Sequence, residues 1–168
     1  TNERTFVSLM HANNEIGNLL PIKEVGEVCE RYNAIFHSDT VQTMGHYVID
    51  TKAVNVHFLT CGAHKFHGPK GTGFIYINAD KHLEPFIHGG SQERNMRGGT
   101  ENVAGIVGMS FALEKAYNNL DKDREYILSL KLALKKGLEE VLGDVLFNGL
   151  SGDAEKSLYT VLSVGLPP

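Results

Sequence analysis

Short apolar runs alternate with stretches of helical periodicity through the first half of the chain, and that alternation confines it to a layered α/β fold. The first run, Phe6 to Met10, is long enough for a buried strand and breaks into the polar loop His11-Ala12-Asn13-Asn14-Glu15-Ile16-Gly17. Pro21 opens a helix in which Ile22, Val25, Val28, Cys29 and Tyr32 recur at helical spacing, which sets Cys29 on the buried face. Ala34 to Phe36, His57 to Thr60 and Gly73 to Ile77 read as further strands, the last alternating apolar and aromatic residues. Strands separated by helices call for a mainly parallel sheet.

From Asn102 the character changes. Val103, Ile106, Val107 and Ala112 give an amphipathic helix, and a second long helical stretch runs from about Asp121 to Val141, closed by Gly143 and Asp144. Val145 to Phe147 and Tyr159 to Val164, separated by a polar turn around Gly149 to Lys156, read as the opening of a second α+β unit. The boundary is expected between Asn118 and Asp121, with residues 1–120 forming part of a large domain and 121–168 the start of a small one. Between the halves, His88 to Thr100 is a long, polar, glycine-rich loop of the kind that is functional or disordered.

Composition narrows the function classes. The chain has 168 residues, 21% of them charged, with a formal net charge of −4 and scattered lysines, which argues against nucleic-acid binding. It has neither an apolar run of the ~18 residues needed to span a bilayer nor a basic-then-apolar leader, so a cytoplasmic protein without membrane partners is expected. Cys29 and Cys61 cannot build a disulfide framework and are expected as free thiols. Thr1 where an initiator Met would stand, and Leu166-Pro167-Pro168 directly after an apolar run, suggest a piece of a longer protein.

The run Cys61-Gly62-Ala63-His64-Lys65-Phe66-His67-Gly68-Pro69-Lys70-Gly71 sets a lysine where an apolar strand gives way to a glycine-rich loop, and Asp39 and Gln42 follow another strand candidate. In open parallel sheets ligands bind outside the carboxyl ends of the strands, where the loops carrying Asn14, Asp39 and Lys65 should converge. These residue types complement pyridoxal phosphate. A lysine amine condenses with its aldehyde, and a carboxylate holds the pyridine nitrogen protonated so that the ring draws electrons from the substrate Cα. That charge pair gains on the order of 4 kcal/mol at contact and an effective dielectric of about 20, before desolvation. Asn14 and Gln42 could supply neutral hydrogen bonds, while Gly62 and Ala63 permit close approach of a phosphate to backbone N–H groups.

Taken singly, each residue has a plainer reading: Lys65 as a solvated surface group, Asp39 as a turn former beside Ser38, Asn13-Asn14 as loop filler, and Gly68 to Gly71 as a turn. Cys61, His64 and His67, with His88 further on, superficially suggest a metal site. Their spacing fits no closed ligand set, and no metal is expected. Cys61 reads as a small buried residue at a strand end rather than a sulfur acceptor. Gly68 to Gly73 lacks the spacing of a nucleotide loop.

Four ordered stretches together change the weighting: His11 to Gly17, His37 to Gln42 (His-Ser-Asp-Thr-Val-Gln), Ala63 to Gly71, and His88 to Thr100 (His-Gly-Gly-Ser-Gln-Glu-Arg-Asn-Met-Arg-Gly-Gly-Thr). In order and spacing the chain resembles the cysteine desulfurase family, the class V aminotransferase-like branch of pyridoxal phosphate enzymes of fold type I. The resemblance implies part of the large α/β domain with a mainly parallel sheet, plus the start of the small α+β domain. It makes Lys65 the catalytic Schiff-base lysine and Asp39 the partner of the pyridine nitrogen. Gln42 and Asn14 become hydrogen-bond donors to the cofactor, His64 a phosphate contact, and Thr100 a residue reaching the phosphate bound by the other subunit of a homodimer. The implied reaction converts L-cysteine to L-alanine and leaves the sulfur as an enzyme persulfide, for a sulfur acceptor or iron–sulfur scaffold protein. Selenocysteine lyases run related chemistry, and a catalytically silent dimerisation or scaffold module is the alternative from another class. Many relatives have a serine where this chain has Gly62, and the family's ring-stacking aromatic residue, substrate-carboxylate arginine and persulfide cysteine are not among these 168 residues.

Overall fold

The computed structural model describes residues 4–166. Thr1 and Pro167-Pro168, on which the expectation of cut ends leaned, lie outside the described residues. The elements run β1 (Phe6–Met10), α1 (Ile22–Arg31), β2 (Ile35–Asp39), β3 (Phe58–Gly62), β4 (Gly73–Ile77), α2 (Val103–Asn118), α3 (Leu120–Leu142), β5 (Leu146–Phe147) and β6 (Val164–Gly165), with 3-10 turns at Ala63–Phe66 and Gln92–Asn95. The main sheet is ordered β1-β2-β3-β4. β1 and β2 are parallel, as are β2 and β3, while β4 returns antiparallel on β3.

One face of this sheet makes the core. Phe36 of β2 and Leu59 of β3 are fully buried with Cys29 of α1 and with Val54 and Val56, and Val7, Ile22 and Val25 pack around them. Burying a side chain of Phe or Leu size stabilises by about 1.5–3 kcal/mol, so this patch fixes the sheet against α1. A second cluster joins Met44, Cys61, Ala63 and Phe66 to Ala112, Leu113 and Ala116 of α2. Strand alternation then sends His37, Asp39 and Thr60 to the opposite face, where each is only half-buried. Ser8, His37 and Thr60 are joined across three strands there, Ser8 Oγ to His37 Nδ1 at 2.8 Å and His37 Nε2 to Thr60 Oγ1 at 3.2 Å.

Three details differ from the sequence reading. α1 buries the stripe Ile22, Val25, Gly26 and Cys29, so Val28 and Tyr32, at 49% and 74% exposure, lie off it. The crossover from β2 to β3 contains no helix and is built from turns, including one opened by Asp50, whose Oδ1 accepts from Lys52 N–H at 2.9 Å. Of the stretch Tyr159 to Val164 only its end is strand, pairing as β6 with β5.

α2 and α3 are separated by Asn119 alone, whose N–H and Nδ2 both return to the Lys115 carbonyl. α3 seats on the closing segment through lysines one turn apart. Buried Lys131 donates to Ser157 Oγ at 2.7 Å and the Leu158 carbonyl at 3.1 Å, and Lys135 donates to the Gly152 carbonyl at 3.0 Å. No helix among the described residues is long and apolar enough to cross a membrane.

Candidate active site

The carboxyl ends of β1, β2 and β3 lie side by side, and the residues singled out in sequence, Thr100 excepted, sit on them or in the turns that follow. Asp39 is the last residue of β2, paired with Met10, the last of β1, and with Thr60 in the middle of β3, which runs two residues further. β2 is longer than its apolar run because both ladders continue through the polar pair His37-Ser38. Asp39 Oδ1 accepts the Val41 N–H at 2.9 Å, which fixes the carboxylate and leaves its other oxygen without a hydrogen bond among the described residues.

Lys65 is the third residue of the 3-10 turn that follows β3. Its side chain is exposed and has no ion pair or hydrogen bond among the described residues. The turn itself is closely built. His67 N–H and Gly68 N–H both return to the Ala63 carbonyl, and a Cβ on Gly68 would stand 2.8 Å from Ala63 Cβ, so only glycine allows that return. With those amides committed to Ala63, the Lys65 carbonyl accepts from a side chain instead, His46 Nε2 at 3.2 Å. His46 Nδ1 meets the Tyr159 hydroxyl at 2.8 Å. Neither His46 nor Tyr159 has a motif to announce it, and 113 residues separate them.

Asn14 is exposed on the turn after β1. Its neighbour Asn13 does the structural work, accepting from Glu15 and Ile16 N–H groups at 2.9 and 3.0 Å, so the Asn14 amide carries no described bond. Gln42 is half-buried in the turn after β2. Gly62 ends β3, and a Cβ there would come within 3.3 Å of His64 Cε1 and 3.4 Å of its Nδ1, so the imidazole lies over the space a residue-62 side chain would fill. Ala63 is wholly buried and its N–H is already bonded to the Thr72 carbonyl at 3.0 Å. Thr100 is exposed in the loop before α2 and has no described hydrogen bond to the strand ends. That loop is pinched rather than loose. Gln92 Oε1 accepts from Gly99 N–H, Gly98 N–H reaches the Ile87 carbonyl, and Glu93, Arg94 and Asn95 all take left-handed backbone angles.

The electrostatics separate the sheet's two faces. Cys61 points into the core, and burial together with the Asp39 charge pushes its thiol up to about 12. Cys29 is also raised by burial. Neither resembles the exposed, electropositive setting of a nucleophilic thiol. His11, buried and hydrogen-bonded through Nδ1 to Thr43 Oγ1 at 2.9 Å, is held down to about 4 by burial. No group of three or more His, Cys, Asp and Glu side chains among the described residues could hold a metal ion, and Cys61 lies buried while His64 and His67 are exposed. A cavity of about 310 Å3 beside the Lys65 turn is walled by His46, Phe66, Phe111 and Tyr159, and neither Lys65 nor Asp39 lines it.

This donor set fits pyridoxal phosphate: an amine without a partner among the described residues on the turn after β3, a carboxylate at the end of β2 with one oxygen uncommitted, and neutral amides on the flanking turns. The model of the Aminotransferase class-V family matches residues 1–166. The Cysteine desulfurase IscS of Clostridium botulinum is 47% identical over 149 residues, covering 89% of this chain and 38% of that protein. A NifS-like protein of solved structure superimposes with a TM-score of 0.90 at 38% identity over 98% of this chain and 44% of its own. A NifS-like protein from Rickettsia africae gives 0.89 at 32% identity with the same coverage. The chain thus spans about two fifths of the length of these relatives. Its α/β arrangement is part of the fold type I large domain, and the chain belongs to the class-V aminotransferase family, in the branch that holds the cysteine desulfurases.

Proposed function

We propose that the full-length protein is a pyridoxal phosphate-dependent cysteine desulfurase, converting L-cysteine to L-alanine and passing the sulfur to a cysteine thiolate of the enzyme. The observation that carries this reading is Asp39 at the carboxyl end of β2 and Lys65 in the turn that follows the adjacent parallel strand β3, the carboxylate fixed by Val41 N–H and the amine left without a partner among the described residues. When bound, the cofactor supplies an electron sink for the substrate Cα. Asp39 would hold the proton on the pyridine nitrogen, and Lys65 would hold the cofactor and move the substrate Cα proton as base and acid. Asn14 and Gln42 would orient the ring, and His64, whose imidazole lies over Gly62, would hold the phosphate in place of a side chain at residue 62. With the Ala63 N–H committed to Thr72, that residue's part is steric, letting the phosphate close on the backbone.

The sulfur acceptor is a cysteine other than Cys29 and Cys61, whose raised pKa values disfavour the thiolate. We assign residues 1–120 to the large domain and 121–168 to the small one, in keeping with the break at Asn119. The working form is a cytoplasmic homodimer in which Thr100 reaches the partner's phosphate, with an iron–sulfur scaffold or other sulfur acceptor as client. The test is to incubate full-length protein with pyridoxal phosphate, reduce with borohydride and map the pyridoxyl-lysine. Selective label at Lys65 with alanine formed from cysteine is the expected result. Label spread evenly over surface lysines would overturn it.

A further inference from the structure

The segment Ser157-Leu158-Tyr159 touches both turns of the candidate site while α3 holds it from behind. Lys131 of α3 grips Ser157 Oγ and the Leu158 carbonyl. Leu158 N–H donates to the Gly17 carbonyl at 2.7 Å, which pins the turn carrying Asn14. Tyr159, 2% exposed, reaches the Lys65 turn through His46. Its ring meets His46 edge-on at 5.6 Å and leans on Tyr47 at 5.7 Å.

The hydrogen-bond directions follow from chemistry. A carbonyl only accepts, so His46 Nε2 carries the proton toward Lys65 O, and Nδ1 is left as the lone pair that accepts from the Tyr159 hydroxyl. Burial favours this neutral imidazole, pushing the His46 pKa down and that of Tyr159 up to about 12. Lys65 therefore has a main chain tied at its carbonyl and a side chain that is free.

We infer that His46 and Tyr159 are positioning residues for Lys65, holding the peptide of the cofactor-bearing lysine in register through a Tyr159 to His46 to Lys65 carbonyl hydrogen-bond chain that runs from the segment gripped by α3. This role rests on the reading of Lys65 given above. The chain sets where the amine starts from, and so how often it meets a bound aldehyde, without touching substrate or cofactor.

The test uses full-length protein and compares borohydride-trapped pyridoxyl label at Lys65 with that at exposed Lys70 as an internal reference. Tyr159→Phe keeps the ring packing and removes one hydroxyl. His46→Phe removes both bonds. His46→Gln returns an amide N–H at the Nε2 position. The Lys65 to Lys70 ratio is expected to fall roughly threefold in Y159F and about tenfold in H46F, and to return within about twofold of wild type in H46Q. Selectively 15N-labelled histidine should show His46 as the Nε2–H tautomer in wild type and as a mixture in Y159F. Unchanged ratios in Y159F and H46F, an H46Q as deficient as H46F, or a wild-type Nδ1–H tautomer would each overturn the inference while leaving the Lys65 assignment intact. Failure of wild-type Lys65 to label selectively would overturn both.

Discussion

Lys65 and Lys131 are the same side chain put to opposite uses, and the contrast explains how each region works. Lys131, on α3, is 6% exposed, with its amine bonded to Ser157 Oγ and the Leu158 carbonyl, and burial lowers its pKa. Lys65 is exposed, and only its backbone is held. A buried lysine whose amine is held by protein acceptors can organise a fold but cannot reach a ligand. A lysine whose main chain is fixed and whose amine is free can do chemistry. The closing segment connects the two, since the residues Lys131 grips also brace the turns bearing Asn14 and Lys65.

The largest effect that would sharpen this contrast is Lys65→Ala in the full-length protein. Alanine formation from cysteine should fall by at least about a thousandfold, with unfolding free energy unchanged within about 0.5 kcal/mol. Residual turnover within about tenfold of wild type would place the catalytic amine elsewhere.

Next comes pH, acting on the turn after β1. His11 is lowered from 6.5 to about 4 by burial, so between those values the unfolded chain binds more protons than the folded one. The stability it supports is complete above pH 6.5 and is lost as pH falls toward 4, by roughly 3 kcal/mol. Urea unfolding at stepped pH should show that decline, and His11→Gln should flatten it. An equal slope in the variant would assign the effect to other groups, such as His46.

Lys131→Met should remove about 1 kcal/mol of stability, because Ser157 Oγ loses the Lys131 bond and the Leu158 carbonyl keeps only the Val161 N–H, while the aliphatic packing remains. A neutral or stabilising result would mean that desolvating the amine had offset its bonds. The smallest effect belongs to Cys61. With a pKa of about 12, only about one thiol in ten thousand is ionised at pH 8, so iodoacetamide should modify Cys61 in urea but not in the native protein. Rapid native labelling would reopen it as a sulfur acceptor.

The strands and helices were legible because periodicity reports burial. β1 and β4 stand where their apolar runs predict, and Cys29 is buried as the spacing of α1 requires. Legibility failed where burial has another cause. Tyr159 belongs to an apolar run that suggests a strand, yet it is buried by His46 and Tyr47 and only Val164–Gly165 pairs. Val28 follows the helical spacing but misses the stripe, because Gly26 brings α1 against the Asn55 backbone and turns the helix by its own contact. The motif residues were visible as a set, since Asp39 and Lys65 each come shortly after an apolar run of the sequence. The helix-free crossover was not visible, since hydrogen bonds between turns leave no period in the sequence.

The sequence by itself determined the layered α/β class, the family, and the residue types gathered at the strand ends, because local periodicity and ordered motifs are properties of the chain read along its length. Only the tertiary structure decided that Asp39 fixes its carboxylate on the Val41 N–H while Cys61 faces the core, that Ala63 has spent its N–H on Thr72, and that Tyr159 reaches Lys65 through His46. Those outcomes depend on which groups far apart in the chain complete each other's hydrogen bonds, and that is settled only when β2 and β3 are in register and the segment after α3 has closed on the turns.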